Sequence, residues 1–90
     1  MDSKLPFNQK DYGNVKVRTF DSNVDEHELK WHRDRESRIV QVIESDNWKV
    51  QLDNELPVLL ESGKSYLIPK GVFHRVIKGN GDLKLSITFL

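Results

Sequence analysis

From Val15 onward, apolar and polar positions alternate in short runs, and each run is closed by turn-forming residues. Val15, Val17 and Thr19 alternate with Lys16, Arg18 and Phe20. Asp21-Ser22-Asn23 then offers short side-chain oxygens that bond nearby backbone N–H groups and turn the chain. Residues 28–35 repeat the period, with Leu29 and Trp31 on one face and His32 and Asp34 on the other. Strands are also predicted over 38–44, 48–52, 57–60, 65–68, 73–77 and 83–89, parted by Asp, Asn, Ser, Gly and Pro clusters. About eight short strands at such spacing predict an all-β sandwich, barrel or jelly roll. No eleven-residue window carries a sustained 3.6-residue period, so helix is expected only as single turns.

Residues 1–14 are polar, contain Pro6 and Gly13, and show no period. They are expected to form an N-terminal arm, anchored by Phe7 and Tyr12, ahead of a single domain over 15–90. Composition strengthens the β reading: there is no alanine, the best helix former, while Val, Ile and Thr number 16. With 90 residues, one domain with a thin core is the expectation. The 14 basic and 14 acidic residues cancel, which removes the basic excess of a nucleic-acid module, so no nucleic-acid partner is expected. The absence of cysteine excludes disulfides, thiol catalysis and cysteine-ligated metal. No apolar run approaches the roughly 20 residues of a membrane span, and Met1-Asp2-Ser3-Lys4 does not lead into a signal-peptide core. A soluble, cytoplasmic protein without membrane contact is the expectation.

Of the three histidines, His27 lies in the acidic turn Asp25-Glu26-His27-Glu28 and reads as a solvated surface group. His32 and His74 each sit in or beside a predicted strand. His74 closes the stretch Gly63-Lys-Ser-Tyr-Leu-Ile-Pro69-Lys-Gly71-Val-Phe-His74. Gly63 permits a tight turn into a strand, and Pro69 with Gly71 shapes a reversal no β-branched residue can make. The four positions and their spacing resemble the second motif of the cupin superfamily, a family of small double-stranded β-barrels. The resemblance covers residues 26–90 and implies a cupin-type jelly-roll barrel of two antiparallel sheets, with His74 turned into the interior.

The first cupin motif offers His-x-His, a glutamate three or four residues on, and a glycine after the following strand. Here His32 matches the first histidine, Asp34 replaces the second, Arg38 or Ile39 stands at the glutamate, and Ser45 replaces the glycine. His32 and Asp34 are two apart, so on a strand both project to one face. With His74 they make two imidazoles and one carboxylate, the ligand set of the non-haem Fe(II) facial triad. The His-x-Asp…His spacing is also similar to that of 2-oxoglutarate-dependent oxygenases. The resemblance thus implies one divalent transition metal (Fe, Mn, Ni, Cu or Zn) held by His32, Asp34 and His74, with Glu36 as an alternative ligand.

Arg38, Arg75 and Tyr66 are the candidate substrate-binding groups. The competing bland reading makes Asp34, Glu36, Arg33, Arg35 and Arg38 a solvated charge ladder around a core histidine. Trp31, Trp48, Tyr66 and Phe73 serve equally as pocket walls or as core. Three functions stay open: a metalloenzyme of dioxygenase or isomerase type acting on a polar or anionic small molecule, a non-catalytic binder of a small ligand, and a structural barrel with a decayed site. A homodimer is expected, because a thin barrel gains core from a partner sheet.

Overall fold

A computed structural model describes residues 5–90. The strands are β1 (Asn8–Asp11), β2 (Val15–Phe20), β3 (Arg38–Glu44), β4 (Lys49–Leu52), β5 (Val58–Leu59), β6 (Ser65–Ile68), β7 (His74–Ile77) and β8 (Leu83–Phe89). The only helix among the described residues is a single 3₁₀ turn, Glu26–Glu28, capped by the Asp25 carboxylate. One antiparallel sheet has the order β1-β2-β8-β3-β6, and the other β5-β4-β7. From β3 onward the chain passes to and fro between the sheets, rolling them into a barrel. Among the described residues no helix is long and apolar enough to cross a membrane.

The strand period builds one core between the sheets. Val40 and Val42 of β3, Val50 of β4, Ile68 of β6, and Leu83, Leu85 and Ile87 of β8 all turn inward, with Phe20, Trp48 and Leu60. Trp48, Leu83 and Val42 are almost wholly sealed and plug one end of the barrel. The Trp48 indole N–H donates to the Gly81 carbonyl at 2.8 Å, satisfying the one polar atom in that plug. Towards the other end the same inner faces diverge around a cavity of about 410 Å³.

Two expectations are corrected. The stretch 28–35 is not a strand: it is irregular, and its only ladder contact is an isolated antiparallel bridge between His32 and His74. Residues 8–11, read as part of an arm, instead form β1, antiparallel to β2 from Asn8–Thr19 to Asp11–Lys16. All four β1 residues are exposed, so apolar periodicity could not reveal them; the ladder and the polar cross-strand contacts Arg18–Gln9 and Lys16–Asp11 make the strand. Phe7 anchors it as expected, its ring 5.3 Å from that of Phe20. Tyr12 does not, being 63% exposed. The first four residues of that arm lie outside the described residues.

The turn before β8 tests how tightly the plug is packed. A Cβ at Gly79 would collide with the backbone of Asp46, Asn47 and Trp48, which no side-chain rotation relieves. Gly79→Ala is therefore expected to lower the thermal midpoint by the equivalent of about 1–3 kcal/mol. The neighbouring exposed change Asn80→Ala should stay within about 0.5 kcal/mol of wild type. Thermal unfolding followed by circular dichroism measures both.

Candidate metal centre

The mouth of the cavity is organised by two histidines that hold each other. The His32 N–H donates to the His74 carbonyl at 3.0 Å, and the His74 N–H returns a bond to the His32 carbonyl at 2.8 Å. This exchange draws the irregular 30–37 segment onto the start of β7. Gly71 N–H donates to the Asp34 carbonyl at 2.8 Å, and Lys70 N–H to Ser37 Oγ at 3.0 Å, so the Pro69–Gly71 reversal clamps the same segment. Gly71 has φ +76°, a left-handed conformation with open space around it; the glycine serves the turn and not a close contact.

Both imidazoles are oriented in the same way. His32 Nδ1 lies 2.9 Å from the Lys30 carbonyl, and His74 Nδ1 2.8 Å from the Val72 carbonyl, each two residues back. A carbonyl only accepts, so each Nδ1 carries the hydrogen and each neutral ring presents a lone pair at Nε2. The ring centroids are 4.3 Å apart. Asp34 joins them: its Oδ2 is 3.3 Å from His74 Nε2, and one donor atom from each of His32, Asp34 and His74 lies within 4.8 Å of the others. His74 is only 4% exposed, whereas His32 stands at the rim with its residue surface open to solvent.

Asp34 is held from its other oxygen. Arg38 Nη2 reaches Asp34 Oδ1 at 3.3 Å and Glu36 Oε1 at 2.8 Å. Oδ2 is buried without any hydrogen-bond partner. Facing it is the lone pair of a neutral imidazole, an arrangement of acceptor against acceptor that costs about 1–3 kcal/mol for the unsatisfied oxygen. Burial pushes the His74 imidazole below its ordinary value, and the adjacent His32 and Arg38 add to this against the Val72 and Asp34 contacts. Burial thus disfavours protonation of His74 as the remedy, and a cation between the ligands would supply one. The 3.3 Å separation also matches two ligands of one first-row ion, which at about 2.1 Å each stand roughly 3.0–3.5 Å apart. The donor set fits a divalent transition metal.

The remaining candidates sort by strand parity and prior commitments. Glu36 is bound to Arg38 and stands apart from the donor cluster, so in this structure it is a partner of Arg38 and not a ligand. Arg38 lines the cavity. Arg75 does not: it alternates with inward-facing His74, so it points outward, donates to Gln51 Oε1 at 3.0 Å and lies over the Trp31 ring at 4.8 Å. It is thus placed away from the cavity lining that holds the other candidates. Tyr66 lines the cavity with its ring, but its hydroxyl donates to the Leu59 carbonyl and accepts from Glu61 N–H, which ties down the β5–β6 turn. Trp48 is core, and Trp31 and Phe73 are exposed beneath Arg75 and Arg33. His27 is solvent-exposed as read.

Sequence reasoning missed Arg18. It lines the cavity from β2, half-buried, with Nε donating to Gln9 Oε1 at 2.7 Å. The available signal was Phe20: Arg18 shares its parity, so a buried Phe20 places the arginine on the inner face. Val15 and Val17 on the opposite parity disguised this.

No protein-family model matches the chain, and no curated protein does. Solved structures do match. An RmlC-like cupin with a double-stranded β-helix fold from Methanocaldococcus jannaschii aligns with 99% of this chain and 84% of its own, at 10% identity and TM-score 0.75. KdgF from Halomonas sp. aligns over 99% and 83%, at 17% identity and TM-score 0.75. FeII HppE aligns over 84% of this chain and 41% of its own, at 20% identity and TM-score 0.66. Likeness at these identities carries the fold. The all-β barrel, its motif glycines in place and these neighbours define a small cupin fold.

A pH prediction follows from the depressed His74 basicity. Its folded value lies below the ordinary 6.5, so between the two the unfolded chain binds a proton that the native one does not. The associated stability is present above that ordinary value and is lost as pH falls through the window beneath it. The chelator-treated protein should therefore melt at lower temperature at about pH 5 than at about pH 7, and His74→Gln should flatten this slope. Scanning calorimetry across the range measures it.

Proposed function

We propose that this chain is a metal-dependent enzyme of the small cupin fold. One divalent transition ion (Fe, Mn, Ni, Cu or Zn) is held by His32 Nε2, Asp34 Oδ2 and His74 Nε2, and a polar or anionic small molecule occupies the cavity behind it. The observation that carries this reading is the buried, partnerless Asp34 Oδ2 set against the His74 lone pair. When bound, such an ion supplies Lewis-acid polarisation or, with a redox metal, O₂ activation, hence an isomerase or oxygenase reaction. The chain's own residues do the rest. The Lys30 and Val72 carbonyls fix the two rings, and Arg38 turns Asp34 so that one oxygen remains free. The apolar barrel wall excludes water from the reacting side of the ligand.

A second reading, a binding or structural barrel with a decayed site, is favoured by one feature. The guanidinium of Arg38, one of the two residues at the motif's glutamate, already neutralises Asp34. If Arg38 replaces the metal, the protein holds no ion of its own. A homodimer belongs to the proposal as well. Ile39 and Leu67 are cross-strand neighbours on the outer face of β3 and β6, and both are exposed. A cytoplasmic setting is part of the same picture.

Elemental analysis of chelator-free protein separates the two readings. Close to one equivalent of metal per chain is expected, with His74→Ala and Asp34→Asn each losing at least the roughly 10–100-fold in affinity that removal of a mere orienting partner costs. Glu36→Gln should retain its metal. Equal metal content in wild type and His74→Ala would favour the decayed site, and retention by Asp34→Asn would remove Asp34 from the ligand set.

A further inference from the structure

We infer that Arg18 forms the anion-holding end of the cavity, and that its ligand is a small carboxylate with an apolar body. The inference deepens the proposed function and relies on it for the neighbouring metal. Arg18 projects from β2 into the cavity that His32, Asp34, Arg38 and His74 also line. Its Nε bonds a neutral amide, Gln9 Oε1, and its guanidinium stacks over the Phe7 ring at 4.3 Å. These contacts fix where the group sits and leave its charge uncompensated. Arg75 and Lys78 are also half-buried on neutral acceptors, Gln51 Oε1 and the Val24 carbonyl, but neither lines the cavity. Lys16 has Asp11 at 2.6 Å, and Arg38 has both Asp34 and Glu36. Among the described residues no carboxylate pairs with Arg18.

That isolation has a cost. Burial and the like charge of Arg38 both weaken the hold of the Arg18 guanidinium on its proton, against the pull of Asp34. Arg18 thus stands in the field of the other two charges inside one cavity. A guanidinium does not shed its proton in proteins, so only an anion relieves the strain. Charge accounting agrees. Glu28, Asp34 and the flanking Glu36 offset Arg18, Lys30 and Arg38, and a divalent ion would leave an excess of about two positive charges for a ligand and its metal-bound donor to meet.

The chemistry of the walls selects the kind of anion. Phe7, Phe20, Leu29, Val50 and Leu85 line the cavity around Arg18 and offer no polar partner from their side chains. Elsewhere in the lining, Arg38 is already held by Asp34 and Glu36, and the carboxylates of Glu28 and Asp34 repel a doubly charged phosphate more than a singly charged carboxylate, with Lys30 as the remaining cation. A carboxylate can meet the guanidinium fork through two oxygens and leave the remainder of the molecule on apolar surface. The volume of about 410 Å³ is at the small end of ligand sites, which run from about 300 to 1,000 Å³.

The test uses the full chain, titrated first with Co(II) and then with benzoate, benzamide or inorganic phosphate, with binding read by NMR shifts. Wild type should bind benzoate at least about tenfold more tightly than benzamide, its neutral isostere. Arg18→Gln should abolish that preference while keeping a saturable Co(II) site, and Arg18→Lys should keep part of it. A purely structural Arg18 would move both aromatic probes together and overturn the inference. Undiminished benzoate preference in Arg18→Gln would also overturn it, and phosphate binding more tightly than benzoate would overturn the carboxylate assignment. If Co(II) is not taken up but benzoate still depends on Arg18, the anion end stands and the metal reading falls. Co(II) uptake without any benzoate preference rejects the anion end alone.

Discussion

The cavity mouth depends on two backbone hydrogen bonds exchanged by His32 and His74. The seventeen or so residues between β2 and β3 have no ladder of their own, and this exchange is their one strand-like contact with the barrel, beside single bonds such as Gly71 N–H to the Asp34 carbonyl. Each bond contributes a net of about 0.5–1.5 kcal/mol, a modest amount, yet the geometry they impose is strict. An antiparallel pair that exchanges both bonds puts the two side chains on the same face. The imidazoles therefore arrive together, and their neighbours Trp31, Arg33, Phe73 and Arg75 fall on the opposite face. There they form two crossed cation–π pairs, Arg75 over Trp31 at 4.8 Å and Arg33 over Phe73 at 5.2 Å, which cover the bridge from outside. Trp31 and Phe73, ambiguous as pocket walls, are thereby explained as supports of the site.

The same constraint shows why the fold was largely legible. Every strand from β3 to β8 was marked by a turn whose chemistry is local: Asn47 and Asn54 adopt positive φ, as do Gly63 and Gly71. What was not local was misread. Residues 28–35 alternate as a strand does, and their parity is right, since His32 and Asp34 converge. Strand character, however, requires a partner along its length, and only His32 finds one. Asn8–Asp11 fails in the opposite sense, having a partner but no apolar residue to betray it. The two errors cancel in the number of strands, so a correct count was no proof of a correct assignment.

At the site, the legible part was the part fixed by backbone shape. The Gly63–Pro69–Gly71–His74 spacing encodes a reversal, and the reversal fixes His74. Roles that depend on competing partners were hidden. Tyr66 has its hydroxyl engaged by the β5–β6 turn, Glu36 is engaged by Arg38, and Arg75 lies on the outer parity. Arg38, one of the two residues at the motif's glutamate, pairs instead with Asp34 and Glu36. Whichever of Arg38 and Ile39 matches the motif's glutamate, the contacts of Arg38 with Asp34 and Glu36 are visible only in three dimensions.

Besides the partnerless Ser45 Oγ, two defects persist in the interior, and these two share one cavity. Asp34 Oδ2 lacks a donor, and Arg18 lacks an acid. They could in principle cancel each other, since Arg18 feels the Asp34 charge. They do not meet, because Gln9 and Phe7 hold Arg18 on the β1–β2 side while Arg38 holds Asp34 on the β3 side. Each group is thus restrained by contacts that leave its charge, or half of it, unspent. Selection for stability alone would let them pair or replace them with apolar residues, which is often neutral or stabilising. Keeping an acceptor and a cation apart and unsatisfied in the same cavity makes sense when what joins them is brought from outside.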